Sequence, residues 1–285
     1  MAIKKVGVLG AGLMGSGIAQ IAAASGYEVT LVEVSEELVN KGLSGIEKSL
    51  AKFAEKGSIT AEQKDATLAR LRGTTKLEDL ADADIIIEAI IENLQIKRDT
   101  YAKLDKICKA ETIFASNTSS LSVTEMMTAT SVERQRRFVG MHFFNPATIM
   151  KLVEVVNTPM TNKVTTETIL SLTRQLNKVP VLCTDSPGFI VNRVARPYYI
   201  ESLRLLENGD THPEQLDQLL EATGFKMGPF KLMDLIGHDI NYAVSCSVWE
   251  QLGRPRRLEP SYLQEEKVKQ GKLGKKSGEG FYKYE

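Results

Sequence analysis

The sequence predicts an α/β protein with a mainly parallel sheet carrying a helical insertion, followed by an all-α C-terminal domain. Three observations carry that expectation. Over roughly the first 185 residues, short β-branched runs alternate with helix-spaced apolar positions, as where crossover helices join parallel strands. A glycine-rich turn, Gly10-Ala11-Gly12-Leu13-Met14-Gly15, stands between the first such run and the first helical pattern. Strand signals then disappear beyond Asp185-Ser186-Pro187-Gly188, and amphipathic helices take over.

Taken in order, strands are predicted at 5–9, 29–32, 85–89, 112–115, 138–143 and 151–156. Between the second strand and Gly73 lies a long helical insertion. Leu43, Ile46, Leu50 and Phe53 recur there at helical spacing, while Lys48, Lys52 and Lys56 line another face. Ser122-Val123-Thr124-Glu125 is expected to cap the next helix, which makes Ser122 structural. The later domain opens on a helix over 189–207, interrupted by Pro197, and Thr211-His212-Pro213-Glu214 reads as a capping box. The boundary is placed near residue 184, giving domains 1–184 and 185–285.

Composition excludes several classes. The 285 residues carry 36 basic and 36 acidic side chains, a net charge of zero, which speaks against nucleic-acid binding and against a polybasic membrane-surface protein. No secretory signal or membrane span is visible, and Cys108, Cys183 and Cys246 are odd in number and unpaired in spacing. A cytoplasmic protein with reduced thiols, no metal framework and an organic cofactor or none is expected.

The glycine turn is GxGxxG in the setting of a dinucleotide site: strand before, helix after, and a carboxylate, Glu33, 18 residues beyond Gly15 at the end of the second strand. Gly10 makes the tight turn, Gly12 lets the backbone approach a pyrophosphate, and Gly15 allows close helix–sheet packing. Glu33 would accept hydrogen bonds from the ribose and repel a 2′-phosphate, so NAD is expected over NADP. This part of the chain is therefore Rossmann-like.

Of three histidines, His212 reads as an exposed helix-start residue and His238 has no evident partner. His142 ends an apolar strand, where open α/β sheets place ligands. Glu154 lies on an apolar strand face and needs a partner. A Glu154–His142 pair would fix the imidazole's tautomer and leave its other nitrogen for acid–base work. The alternative is an edge-strand glutamate facing water. Asn117 and Ser119 are placed to point across the sheet end, and Asn192 shares a helical stripe with Ala195 and Tyr199 as a semi-buried amide.

The runs GAGLMGSGIAQ, IIIEAIIENLQIK, ASNTSSL, HFFNP with KLVEVV, DSPGFIVNR, MGPFKLMDLIG and GKKSGEGFYKY together resemble the 3-hydroxyacyl-CoA dehydrogenase family, its short-chain members in particular, over essentially the whole chain. The resemblance implies reversible NAD-dependent oxidation of (S)-3-hydroxybutyryl-CoA and related short-chain 3-hydroxyacyl-CoA. It implies His142 as general acid/base with Glu154 its pairing carboxylate, and Ser119 and Asn192 as holders of the C3 oxygen. Glu92, Lys97, Asn117, Ser119, Asn145 and Lys276 resemble cofactor contacts. Ser49, Lys56 and Ser119 resemble contacts to the coenzyme A substrate. It also implies a homodimer through the C-terminal domain. Glu33 stands where the family commonly has aspartate. Two other functions remain open: a dehydrogenase of non-thioester hydroxy or sugar acids, and a non-catalytic, crystallin-like cofactor-binding protein.

Overall fold

The computed structural model describes residues 3–284. Two compact units divide between Asp185 and Ser186.

The first unit is an eight-stranded sheet in the order β3-β2-β1-β4-β5-β6-β7-β8. Its strands are β1 (Lys5–Leu9), β2 (Glu28–Val32), β3 (Leu71–Thr74), β4 (Ile85–Glu88), β5 (Ile113–Ser116), β6 (Phe138–Phe143), β7 (Leu152–Asn157) and β8 (Val179–Thr184). The central strands β4 and β5 are buried at every residue, which their continuous apolar runs require of a sheet covered on both faces. The helix α1 (Leu13–Ala24) supplies Ile18, Ala19, Ala22 and Ala23 to a core shared with Val6, Val8, Leu31, Ile85, Ile87 and Val153.

The helical insertion consists of two helices. The first, α2 (Glu36–Glu55), is capped by the Ser35 hydroxyl, which accepts from the Leu38 amide. The chain turns at Gly57, with φ of 68°, and re-enters helix in α3 (Ala61–Leu68) through a complete Thr60/Gln63 capping box. Two strands escape the sequence pattern. β3 is four residues long, contains Gly73 and is at best half-buried. β8 contains Pro180 and lies at the sheet edge with four of its six residues exposed, where a missing N–H costs no ladder bond.

The remaining helices of this unit are α4 (Leu94–Ile107), α5 (Val123–Met127), α6 (Val132–Gln135) and α7 (Lys163–Gln175). Six of the seven strand pairings are parallel; β6 and β7 run antiparallel. The short connection 144–151 leaves no room for a crossover helix, so β7 must return alongside β6. That reversal sets His142 directly opposite Glu154.

The second unit comprises α8 (Val191–Glu207), α9 (Pro213–Ala222), α10 (Pro229–Ile236), α11 (His238–Gln251) and α12 (Tyr262–Lys269). Tyr199, Leu203, Leu216, Phe230 and Met233 form its main core. Three sequence expectations change here. Gly188 and Phe189 take positive φ (74° and 47°), so the first helix begins at Val191 and not at 189. The capping box at 211–214 does not form: His212 occupies the N-cap without a side-chain bond, and the Thr211 hydroxyl donates to the His212 carbonyl instead. Pro213 does open the helix. Lastly, His238 is fully buried and has a partner, with Nε2 2.7 Å from Asp234 Oδ1. Asp234 also accepts from the Phe281 and Tyr282 amides and the Tyr284 hydroxyl, and so staples the C-terminal segment to α10.

Candidate active site

The glycine turn has the shape a dinucleotide needs. Gly10 takes φ of 92°, and a Cβ there would lie 2.5 Å from the Ala89 carbonyl oxygen. At Gly15 a Cβ would lie 1.8 Å from the Gly10 carbonyl oxygen, so any side chain would push α1 off the turn. Above Gly12 there is open space, and Leu13 is largely exposed beside it. The first turn of α1 has no side-chain cap and no acidic residue, leaving its amides and positive dipole end available to an anion. Met14 packs against the core as α1 begins. Glu33, just past β2, accepts from the Ala11 amide at 3.3 Å and the Val34 amide at 2.5 Å, which holds its carboxylate over the turn.

Across the sheet, the ends of β4 and β5 carry a hydrogen-bonded charge cluster. Lys97, on α4, is 1% exposed and places its ammonium 2.5 Å from Glu88 and 3.1 Å from Glu92. Glu92 in turn accepts from the Thr118 hydroxyl at 2.5 Å and the Ser119 amide at 3.1 Å. Burial pushes the Glu92 carboxyl up, but the Lys97 charge and these donors outweigh it and hold the group below its ordinary value. Next to Ser119, Asn117 Oδ1 accepts from the Phe143 amide at 2.8 Å, which ties the β5 turn to the end of β6.

There His142 Nδ1 lies 2.7 Å from Glu154 Oε2, with both side chains buried. The cross-strand register points both toward the same face. The Phe144 ring packs on the imidazole at 4.5 Å between centroids. Glu154, with Asp185, adds to the burial that pushes the Cys183 thiol up to about 12, so Cys183 stays a thiol. Asn145 is exposed just beyond β6 and precedes a cis bond to Pro146. The loop it occupies is held by Lys178, whose ammonium donates to the Ala147 and Met150 carbonyls at 2.5 and 2.8 Å.

Models of two domains match the chain: "3-hydroxyacyl-CoA dehydrogenase, NAD binding domain" over residues 5–186, and the C-terminal domain of the same enzymes over 188–284. The chain belongs to the 3-hydroxyacyl-CoA dehydrogenase family. It is 45% identical to the mitochondrial hydroxyacyl-coenzyme A dehydrogenase of Sus scrofa, over 99% of this chain and 91% of that one. The crystal structure of a 3-hydroxybutyryl-CoA dehydrogenase from Escherichia coli matches with a TM-score of 0.96 at 44% identity, covering all of this chain but only 60% of the longer E. coli chain. An (S)-3-hydroxybutyryl-CoA dehydrogenase from Ralstonia eutropha matches at 0.95 with 38% identity, over the full length of both.

The other sequence-predicted residues of this 3-hydroxyacyl-CoA dehydrogenase family member are placed as follows. Ser49 is half-buried on α2, and Lys56 is exposed at its C-cap. Seven residues separate them, two helical turns, so both lie on one side of the helix. Lys48 and Lys52 are exposed on α2 as well. Asn192 opens α8 and is half-buried. Lys276 donates to both oxygens of Asp239, at 2.6 and 2.7 Å. Ser122 caps α5, accepting from the Glu125 amide, and its hydroxyl donates to Asp185.

Glu88 escaped notice in the sequence, although a signal was there. A carboxylate ending the wholly apolar run Ile85-Ile86-Ile87, with a lysine nine residues on, implies a buried pair. A cavity of about 570 Å³ lined by Lys5, Arg72 and Asp79 opens at the opposite, N-terminal ends of β1 to β3. Sheets of this kind bind ligands at the carboxyl ends of their strands, so the cavity has no part in the site. Among the described residues, no helix is long and apolar enough to cross a membrane.

Proposed function

We propose that this protein catalyses the reversible NAD-dependent oxidation of (S)-3-hydroxybutyryl-CoA, and of related short-chain 3-hydroxyacyl-CoA, to the 3-ketoacyl-CoA. The observation that carries this is the buried His142–Glu154 pair at the carboxyl end of the sheet, in a chain of the 3-hydroxyacyl-CoA dehydrogenase family. The glycine turn fits the cofactor: open above Gly12, closed behind Gly10 and Gly15, with Glu33 on the ribose side. When bound, NAD supplies the hydride acceptor.

The chain's own residues do the rest. Neutral His142 takes the C3 hydroxyl proton in oxidation and, as imidazolium, returns a proton to the oxygen in reduction. Glu154 fixes the imidazole through Nδ1 and stabilises the cation as it forms, a charge-assisted bond in a water-poor setting. Ser119 and Asn192 hold the C3 oxygen while charge develops on it. Glu92 orients the Ser119 turn from below, and Asn117 locks that turn to the end of β6 beside His142. Lys97, Asn145 and Lys276 are the further proposed cofactor contacts. Ser49 and Lys56 are proposed to meet the coenzyme A portion, where an exposed ammonium suits its phosphates.

The helical unit is proposed to carry a homodimer contact, supported by the exposed apolar side chains Leu219, Phe225, Leu235 and Ile240. A cytoplasmic setting is proposed on the three free cysteines. Loss of NADH absorbance on adding acetoacetyl-CoA tests the activity. Turnover of the thioester but not of free acetoacetate supports the proposal; turnover of the free acid alone overturns it.

A further inference from the structure

The cluster of Glu88, Lys97 and Glu92 has a charge balance that the proton-transfer steps do not use. Glu88 is fully buried and faces four donors: the Lys97 ammonium, the Ile90 amide, and the Ser116 and Tyr101 hydroxyls. The Tyr101 hydroxyl lies equally close to the Ala115 carbonyl oxygen, so the Lys97, Ile90 and Ser116 donors are the ones committed to Glu88. Lys97 bonds to both carboxylates. Two carboxylates and one ammonium leave one negative charge, and it falls on the Glu92 side, the side that holds the Ser119 turn. Without Glu88, Lys97 would cancel Glu92. With it, Lys97 is already neutralised from below.

The position of this charge gives it a target. In the order β3-β2-β1-β4-β5-β6, the phosphate turn follows β1 and Glu33 marks the ribose side at β2. A dinucleotide crossing the sheet at this switch point must lay its other half over the ends of β4 and β5, where Glu92 sits. The nicotinamide ring is cationic when oxidised and neutral when reduced. A net negative cluster in a partly buried setting attracts the first and is indifferent to the second.

We propose that the Glu88–Lys97–Glu92 cluster sets the relative affinity of this protein for the two redox forms of its cofactor, shifting it toward NAD⁺, with Glu88 acting as the positioning residue that neutralises Lys97. The proposal rests on the NAD-dependent function given above and adds a role for the one cluster member outside the predicted site.

Separate calorimetric titrations with NAD⁺ and with NADH, which need no turnover, test it. In Glu88→Gln the cluster becomes neutral: the Kd for NAD⁺ rises about fivefold or more, the effect of roughly 1 kcal/mol, while that for NADH stays within about twofold. The double variant Glu88→Gln/Lys97→Met restores one negative charge without the buried pair, and its Kd ratio returns to the wild-type value. Glu92→Gln, at the more exposed member, lowers the NAD⁺ preference as Glu88→Gln does. A merely structural role for Glu88 would leave the ratio alone and would not be rescued by removing Lys97. Equal changes in both Kd values, or a double variant that keeps the Glu88→Gln ratio, overturns the proposal. Wild-type protein that binds neither form overturns the NAD-dependent function as well.

Discussion

Replacing Glu154 by glutamine keeps the shape of the His142 partner and removes its charge. The two side chains meet at 2.7 Å, at 7% and 1% exposure, so solvent screens little of their interaction. A hydrogen bond to a charged group contributes about 1.5–3 kcal/mol, and here that sum is felt most when the imidazolium exists. In acetoacetyl-CoA reduction the imidazolium is the acid; in oxidation it is forming at the transition state. The substitution should therefore lower turnover about 10- to 150-fold, with little change in the Kd for NADH. The assay is steady-state NADH oxidation against acetoacetyl-CoA, with a thermal melt of the same preparation to show that the fold survives. Turnover within twofold of wild type in a normally folded variant would refute the pairing as a catalytic device.

Three further outcomes follow from the same geometry. Gly15→Ala places a methyl 1.8 Å from the Gly10 carbonyl oxygen; it should cost at least about 2 kcal/mol of stability and abolish NADH binding, read by melting and by titration. Glu33→Ala removes the carboxylate held over the turn and should raise the NADPH/NADH efficiency ratio at least about tenfold; an unchanged ratio would remove Glu33 from cofactor choice. Asp234→Ala strips a fully buried acceptor from His238, two backbone amides and Tyr284, and should destabilise the helical unit by about 3–5 kcal/mol in denaturant melts. Although burial pushes the Asp234 carboxyl up, the His238 bond and the backbone donors hold it below its ordinary value. Its folded pKa is thus the lower one, so its stabilisation is complete above about pH 4, the unfolded value, and is lost as the pH falls through the folded value. Acid melts of Asp234→Ala should lack that component.

How much of this was legible beforehand depended on whether the signal was local. The dinucleotide unit is contained in one stretch of consecutive residues, with Gly10 and Gly15 constrained by sterics at their own positions, and β6 falls at 138–143 as its apolar run predicts. The Glu154–His142 pairing could be argued from one rule, that a carboxylate on an apolar strand face needs a partner, together with the period of two. β3 and β8 were invisible because edge strands need little apolar surface and tolerate Gly73 and Pro180. His238 stands four residues after Asp234, a helical spacing that brings the two side chains together across Gly237, so that partner was open to a spacing argument. Glu88 reaches Ser116 only through strand order, and no periodicity carries that.

The most direct test of the central claim is the turnover of His142→Ala with acetoacetyl-CoA and NADH, beside a titration of NADH binding to the same protein. Loss of at least about 10²-fold in turnover with NADH binding intact is the predicted result. Near-normal turnover in a folded variant would contradict it and take the proton away from His142.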